Sequence, residues 1–200
     1  MSFIHANDAA MGDLGYERRE ADFYPTPAWC SEAVIPYLHM HGVYSFTPIW
    51  ECAAGMGDMS EVLKQHFPDV VSTDLFNYGY EPCKPGVDFL KTTVDFDGAI
   101  VTNPPYGDLA EQFIRHGIER TRKHEGVLAL LMRNEYDCAK GRSELFINHP
   151  FARKVVLTTR PRWIPDSTGA PRHNYAWFIW DHKWADGPPA ISYHVRKGKE

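Results

Sequence analysis

Apolar positions along the chain follow two rhythms, and the switch between them sets the expected architecture. From Pro27 to His41, Trp29, Ala33, Val34, Tyr37 and Leu38 recur at helical spacing behind a Pro-Thr-Pro start, which predicts one helix. Short apolar runs follow at Pro48–Glu51, Val70–Asp74, Gly98–Thr102 and Gly126–Leu131, each bounded by turn residues and each predicting a buried strand. Helical spacing returns between and after them at Ser60–His66, Leu109–His124 and Gly141–Asn148. Strand alternating with helix implies right-handed crossovers and a mostly parallel sheet covered on both faces, an α/β architecture. The last third differs: Lys154–Thr159 and Tyr175–Trp180 are β-rich runs around a loop, Arg160–Asn174, that holds three prolines, a glycine and three arginines. This predicts a hairpin with a long functional loop, followed by an edge strand at Ala190–Val195. The first twenty residues show no sustained period and are expected to form a loose arm, leaving 21–200 as a single domain.

Composition narrows the function classes. With 200 residues, 44% hydrophobic and 24% charged, the chain has the makeup of one globular domain. No apolar run long enough to span a bilayer and no leader-like segment are present, so a cytoplasmic location without membrane contact is expected. Cys30, Cys52, Cys83 and Cys138 stand apart with no CxxC pair, and ten histidines are scattered without ligand spacing. Free buried thiols and no metal are therefore expected. The net charge of -5 conceals a division: residues 1–110 carry five basic and sixteen acidic side chains, residues 111–200 sixteen basic and ten acidic. The second half is either a cationic face for phosphates or ordinary solvated surface.

Candidate chemistry lies at the predicted strand ends. Glu51-Cys52-Ala53-Ala54-Gly55-Met56-Gly57-Asp58 joins the first strand to a helix, where glycines permit a sharp turn and close approach of a ligand. Ser60 stands where the dinucleotide fingerprint requires glycine, which disfavours a nicotinamide cofactor. Asp74 ends the next strand, where a carboxylate can accept both hydroxyls of a ribose, and Asp88-Phe89 offers an acceptor and an aromatic face to a purine. Any one of these has a purely structural alternative; together they describe a nucleoside site. Directly after the strand ending in Thr102 comes Asn103-Pro104-Pro105-Tyr106. Two prolines fix the backbone, so an amide oxygen and a fixed carbonyl form a pair of acceptors. That pair suits an NH2 group conjugated to a planar ring or carbonyl, and Tyr106 offers a flat surface for stacking.

With these motifs in this order, the sequence resembles the class I S-adenosylmethionine-dependent methyltransferases, and among them the DNA methyltransferases that modify adenine at N6, of the small bacteriophage and prophage type. The resemblance runs from about Asp22 to about Trp180 and implies a Rossmann-like three-layer sandwich with a seven-stranded sheet whose last strand is antiparallel. It implies that Tyr24, Pro25 and Thr26, with Glu51, Ala53, Gly55 and Gly57, surround the methionine part of the cofactor, Asp74 the ribose, and Asp88 with Phe89 the adenine. Asn103 would border the cofactor and, with Pro104 and Pro105, hold the target amino group, while Tyr106 stacks on the target base. Methyl transfer would be direct, producing S-adenosylhomocysteine, and the target base would be flipped out of a duplex.

Trp163 and Tyr175 are candidates for the second aromatic wall, and Arg133, Arg142, Arg160, Arg162 and Arg172 for contacts with DNA phosphates, each alternatively serving packing or ordinary surface. Only 94 residues follow Tyr106, so no separate target-recognition domain is expected. The same acceptor geometry serves enzymes that methylate RNA bases or protein glutamine amides. A cofactor-binding module without catalysis is the third possibility, against which the intact Asn103–Tyr106 motif counts.

Overall fold

The computed structural model describes residues 24–164, 168, 170–184 and 187–196; the expected N-terminal arm lies outside them. Eight strands form one sheet: β1 (Ile49–Glu51), β2 (Val70–Asp74), β3 (Cys83–Pro85), β4 (Ala99–Thr102), β5 (Val127–Arg133), β6 (Phe151–Leu157), β7 (Tyr175–Asp181) and β8 (Ala190–His194). Their order is β3-β2-β1-β4-β5-β7-β6-β8. β7 runs antiparallel to both β5 and β6, and every other pairing is parallel. Among the described residues the sheet thus has eight strands where seven were expected. The antiparallel strand is interior to the sheet, and the anticipated edge strand follows it as β8. Sequence patterning missed β3, a three-residue strand at the outer edge that ends in Pro85 and has only partly buried or exposed side chains, so neither alternation nor an apolar run marks it.

The central strands are apolar throughout because both faces are covered. β1, β4 and β7 are buried at every position, and β5 at all but Arg133. Alternate residues serve opposite layers. On one face Ile49, Val101, Ala129, Leu131, Val155 and Trp177 meet α1 (Ala28–Glu32), α2 (Ile35–Met40) and α3 (Asp58–Leu63) through Cys30, Leu38, Met59 and Leu63. On the other, Trp50, Ile100, Leu128, Leu130, Phe178 and Trp180 meet α4 (Asp108–Arg122) and α5 (Glu144–Ile147) through Phe113, Ile114, Ile118 and Leu145. Trp177 Nε1–H donates to the Cys30 carbonyl (2.7 Å) and Trp180 Nε1–H to the Leu145 carbonyl (2.8 Å), so the two faces of β7 anchor both helical layers.

The single helix expected over 27–41 is two helices, because Pro36 has no N–H to continue the first and instead occupies the opening turn of the second. The segment 141–148 likewise divides into a 3-10 turn, Lys140–Arg142, and α5. α4 is the expected amphipathic helix. Its acidic first turn and basic last turn complement the helix dipole, and the buried Ala110, Phe113, Ile114, Gly117, Ile118 and Thr121 form one stripe. Cys30 and Cys52 are buried as expected, whereas Cys83 is half-buried and Cys138 exposed. Among the described residues no helix is long and apolar enough to cross a membrane.

Candidate active site

Parallel pairing brings the carboxyl ends of β1, β2, β3, β4, β5, β6 and β8, and the amino end of β7, to one edge of the sheet. The strand order reverses direction between β1 and β4, which is where open α/β sheets form a crevice. The Glu51–Asp58 turn leaves β1 at this point and the Asn103–Tyr106 turn leaves β4 beside it.

The glycine turn rests on a polar base. Glu51 is 2% exposed, and its carboxylate accepts from the Ser60 hydroxyl, which also bonds the Ser72 hydroxyl at 2.6 Å. Burial pushes the Glu51 carboxyl well above the usual carboxylate range, against the Ser60 hydrogen bond that favours its ionised form. Glu51 therefore lies beneath the turn and braces it. Ser60 stood out in the sequence only as a departure from the dinucleotide fingerprint and Ser72 not at all; the signal for their bracing role was a hydroxyl residue at a buried position of each element.

Gly55 and Gly57 both have left-handed backbones, with φ of 56° and 86°. Gly57 has a second reason to be glycine: a Cβ there would lie 2.6 Å from ring atoms of Tyr80. The close approach expected of a ligand at this position is made by a side chain of the β2–β3 loop. The Tyr80 hydroxyl is in turn held by Glu61 and by Lys64 Nζ (2.7 Å) on α3.

Asp74 is 7% exposed at the end of β2, with Oδ2 accepting from Gly55 N–H and Oδ1 from Phe76 N–H, both at 2.9 Å. Burial raises its pKa and the two backbone donors oppose the rise. The carboxylate is thus locked against the glycine turn, and each oxygen retains a lone pair for a further hydroxyl. Asp88 caps a 3-10 turn, Phe89–Lys91, by accepting from Leu90 N–H at 3.1 Å, and it pairs with Lys91 at 3.0 Å. Phe89 departs from expectation. It is 2% exposed, with ring centroids 5.2 Å from Trp50 and 5.0 Å from Phe113, so its ring belongs to the core and presents no open face to a purine.

In the β4 turn, Asn103 Nδ2–H donates to Thr26 Oγ1 at 3.2 Å, and the Tyr106 hydroxyl donates to Asn103 Oδ1 at 3.1 Å. The amide is therefore oriented from both ends. Pro104 is buried and Pro105 half-buried. Tyr106 is only 8% exposed and packs 6.0 Å from Tyr175, which meets Trp163 edge-on at 4.8 Å. The three aromatic residues proposed for base contacts thus form one row beside Asn103, but Tyr106 and Tyr175 are turned into the core, against the expected open stacking face on Tyr106. Burial drives both phenols upward in pKa.

A cleft of about 530 Å³ opens next to this row, between the segment Pro25–Trp29 with Asp58 on one side and Arg160, Arg162 and Trp163 on the other. It brings together residues expected to meet the cofactor (Pro25, Thr26) and residues expected to meet the substrate. Tyr24 is buried at the start of that segment, while Ala53 is half-buried in the glycine turn. Arg160 is braced within its loop, donating to Asn174 Oδ1 (2.9 Å) and the Pro171 carbonyl (3.2 Å). Arg133 ends β5 near the two tyrosines, where its charge favours their ionised forms. Arg172 is exposed in the long loop. Arg142 is employed elsewhere: it donates to the Tyr136 carbonyl at 3.0 Å and stacks 4.1 Å over the Tyr136 ring. Among the described residues no three His, Cys, Asp or Glu side chains come together as a metal site would require.

No protein-family model and no curated protein matches the sequence. Solved structures do match in fold. A Listeria monocytogenes protein designated a class I S-adenosylmethionine-dependent methyltransferase superposes with a TM-score of 0.60 over 85% of this chain at 15% identity. A Pyrococcus horikoshii protein designated an RNA methyltransferase gives 0.63 over 79% at 15%, with 85% of its own length covered. The methyltransferase subunit of a type I restriction-modification system from Streptococcus thermophilus gives 0.58 over 88% at 14%. The chain spans 65% of the Listeria protein and 49% of the Streptococcus subunit. With its reversal between β1 and β4, its interior antiparallel β7 and these likenesses, the chain has the Rossmann-like fold of the class I methyltransferases.

Proposed function

We propose that this protein transfers a methyl group from S-adenosylmethionine to the exocyclic N6 amino group of adenine in DNA, leaving S-adenosylhomocysteine. The observation that carries this reading is the Asn103–Tyr106 turn, tied by Asn103 to Thr26 at the point where the sheet reverses and next to the Gly55–Asp74 lock.

The residues present fit the cofactor. The Asp74 carboxylate, pre-aimed by two backbone N–H groups, suits the ribose hydroxyls. Asp88, only partly covered, suits a purine amino group, and the Pro25–Thr26 wall beside the glycine turn suits the methionine end. When bound, the cofactor supplies an electrophilic methyl group on a sulfonium centre. Asn103 Oδ1 and the Pro104 carbonyl accept the two protons of the target amino group. The amide oxygen has two lone pairs, so it serves the amino group and the Tyr106 hydroxyl together. Held so, the nitrogen lone pair is drawn out of conjugation and would be aimed at the methyl carbon of the bound cofactor, with the N–C bond forming as the S–C bond breaks. The nitrogen then carries a positive charge and sheds a proton to water, so the chain needs neither a strong base nor a covalent intermediate. Arg160, Arg162 and Trp163 border the same opening and suit a polyanionic planar substrate.

The test is transfer of labelled methyl from S-adenosylmethionine to unmethylated duplex DNA, with RNA and a protein extract in parallel and nucleoside analysis afterwards. N6-methyladenine in DNA supports the proposal. Label solely in RNA or in glutamine would overturn the substrate while retaining the Asn103 chemistry, and cofactor binding without any transfer would indicate an inactive module.

A further inference from the structure

Two residues of the cleft beside the catalytic turn, Arg196 and Trp29, have no task in the methyl-transfer reading. Arg196, which follows the edge strand β8, holds its guanidinium 5.3 Å over the ring of Trp29. The hairpin loop contributes Arg160, Arg162 and Trp163, so among the described residues three cations and two indoles border one opening with one carboxylate, Asp58. The cleft, about 530 Å³, is within the roughly 300–1,000 Å³ typical of sites for small ligands and is large enough for a nucleotide. Guanidinium groups bind phosphate in a bidentate manner, and indole faces stack on any base. The motif signals in the sequence end well before residue 196, and only the parallel pairing of β8 with β6 returns the chain to the carboxyl edge beside Trp29.

Building on the DNA methyltransferase reading, we propose that this cleft is the seat of the nucleotide flanking the target adenine in the same DNA strand. Arg196, Arg160 and Arg162 hold its phosphates, and Trp29 and Trp163 offer apolar surface to its base where the flipped adenine has left the stack. The enzyme thereby gains strand grip from its own fold, through the hairpin loop and the β8 tail.

The test compares wild type, Arg196→Ala and Arg196→Lys, each folded as judged by circular dichroism, for binding of a fluorescent DNA oligonucleotide at several salt concentrations and for binding of S-adenosylmethionine. Arg196→Ala is expected to weaken DNA binding about five- to tenfold and to reduce the slope of log K against log salt by about 0.9, the loss of one phosphate contact. Its KM for DNA should rise with kcat and cofactor affinity unchanged, and Arg196→Lys should restore most of the salt slope. Unaltered DNA affinity and slope in Arg196→Ala, with wild type methylating DNA, would overturn this inference alone. Weakened cofactor binding in the variant would also overturn it, assigning the cation to the methionine carboxylate. If wild type neither binds nor methylates DNA, or prefers an RNA of the same sequence, the function proposed above fails and this inference with it.

Discussion

Asn103 donates through Nδ2 to the hydroxyl of Thr26 at 3.2 Å, a bond between residues 77 positions apart that fixes which way the Asn103 amide oxygen faces. An amide free to rotate would present NH2 and oxygen equally to a target amino group, and two NH2 groups cannot bond each other productively. Thr26 and the Tyr106 hydroxyl together select the orientation in which oxygen is the acceptor.

Removing that acceptor should remove the chemistry. Asn103→Ala is expected to lower kcat by a factor on the order of 10²–10³ or more, the scale seen when a preorganised polar group at a reacting centre is lost. Cofactor affinity, followed by calorimetry, should stay close to wild type. Substantial residual turnover would sink the role given to Asn103.

Thr26 acts through Asn103, so its loss should be milder. Thr26→Val keeps the side-chain volume but deletes one hydrogen bond worth about 1 kcal/mol, which corresponds to roughly a fivefold fall in kcat. Thr26→Ser should recover most of the loss. Equal rates for valine and serine variants would show that the hydroxyl does not orient the amide.

At Gly57 any side chain meets both an unfavourable φ of 86° and the Tyr80 ring. A left-handed L-residue costs about 1–2 kcal/mol before any clash, so Gly57→Ala should lower the midpoint of thermal unfolding by at least roughly 2–4 °C. Pairing it with Tyr80→Ala removes the clash and leaves the backbone cost. The double variant should therefore show less than the sum of the single effects in denaturant unfolding.

Glu51 makes a pH prediction whose sign is set by its raised pKa. The folded protein binds this proton more tightly than the unfolded chain, so the stabilisation is complete below the ordinary glutamate pKa of about 4.3 and is lost as pH rises toward the folded-state value. Glu51→Gln, which cannot ionise, should lack this component. The difference in unfolding free energy, wild type minus variant, is expected to decline from pH 4 upward; a flat or rising difference would mean that Glu51 is not held protonated by its burial.

Much of the fold was legible in the chain. The β2 bounds match the expected run at Val70–Asp74, β4 and β5 begin one residue inside theirs, and the α4 pattern appears as a helix of nearly the expected extent. The order of the strand-end motifs was also legible, since each depends on a strand, its terminal acid or asparagine, and the turn residues next to it. Departures occurred where the local pattern was silent or ambiguous. β3 had no apolar signature, Pro36 broke a helix whose periodicity continued through it, and Phe89 fitted a core as well as a purine site.

What the sequence by itself determined was the set of parts: buried strands, a glycine turn, acids at strand ends and a rigid asparagine turn. These follow from side-chain periodicity and from the backbone limits of glycine and proline, which act over a few neighbouring residues. The tertiary structure alone decided which parts meet. It put Tyr80 on Gly57, Glu51 under Ser60 and Ser72, Thr26 on Asn103, and Arg196 over Trp29. Each of those meetings depends on the spatial order of the strands and on loops packing across their shared edge, and neither quantity is encoded within any short window of the chain.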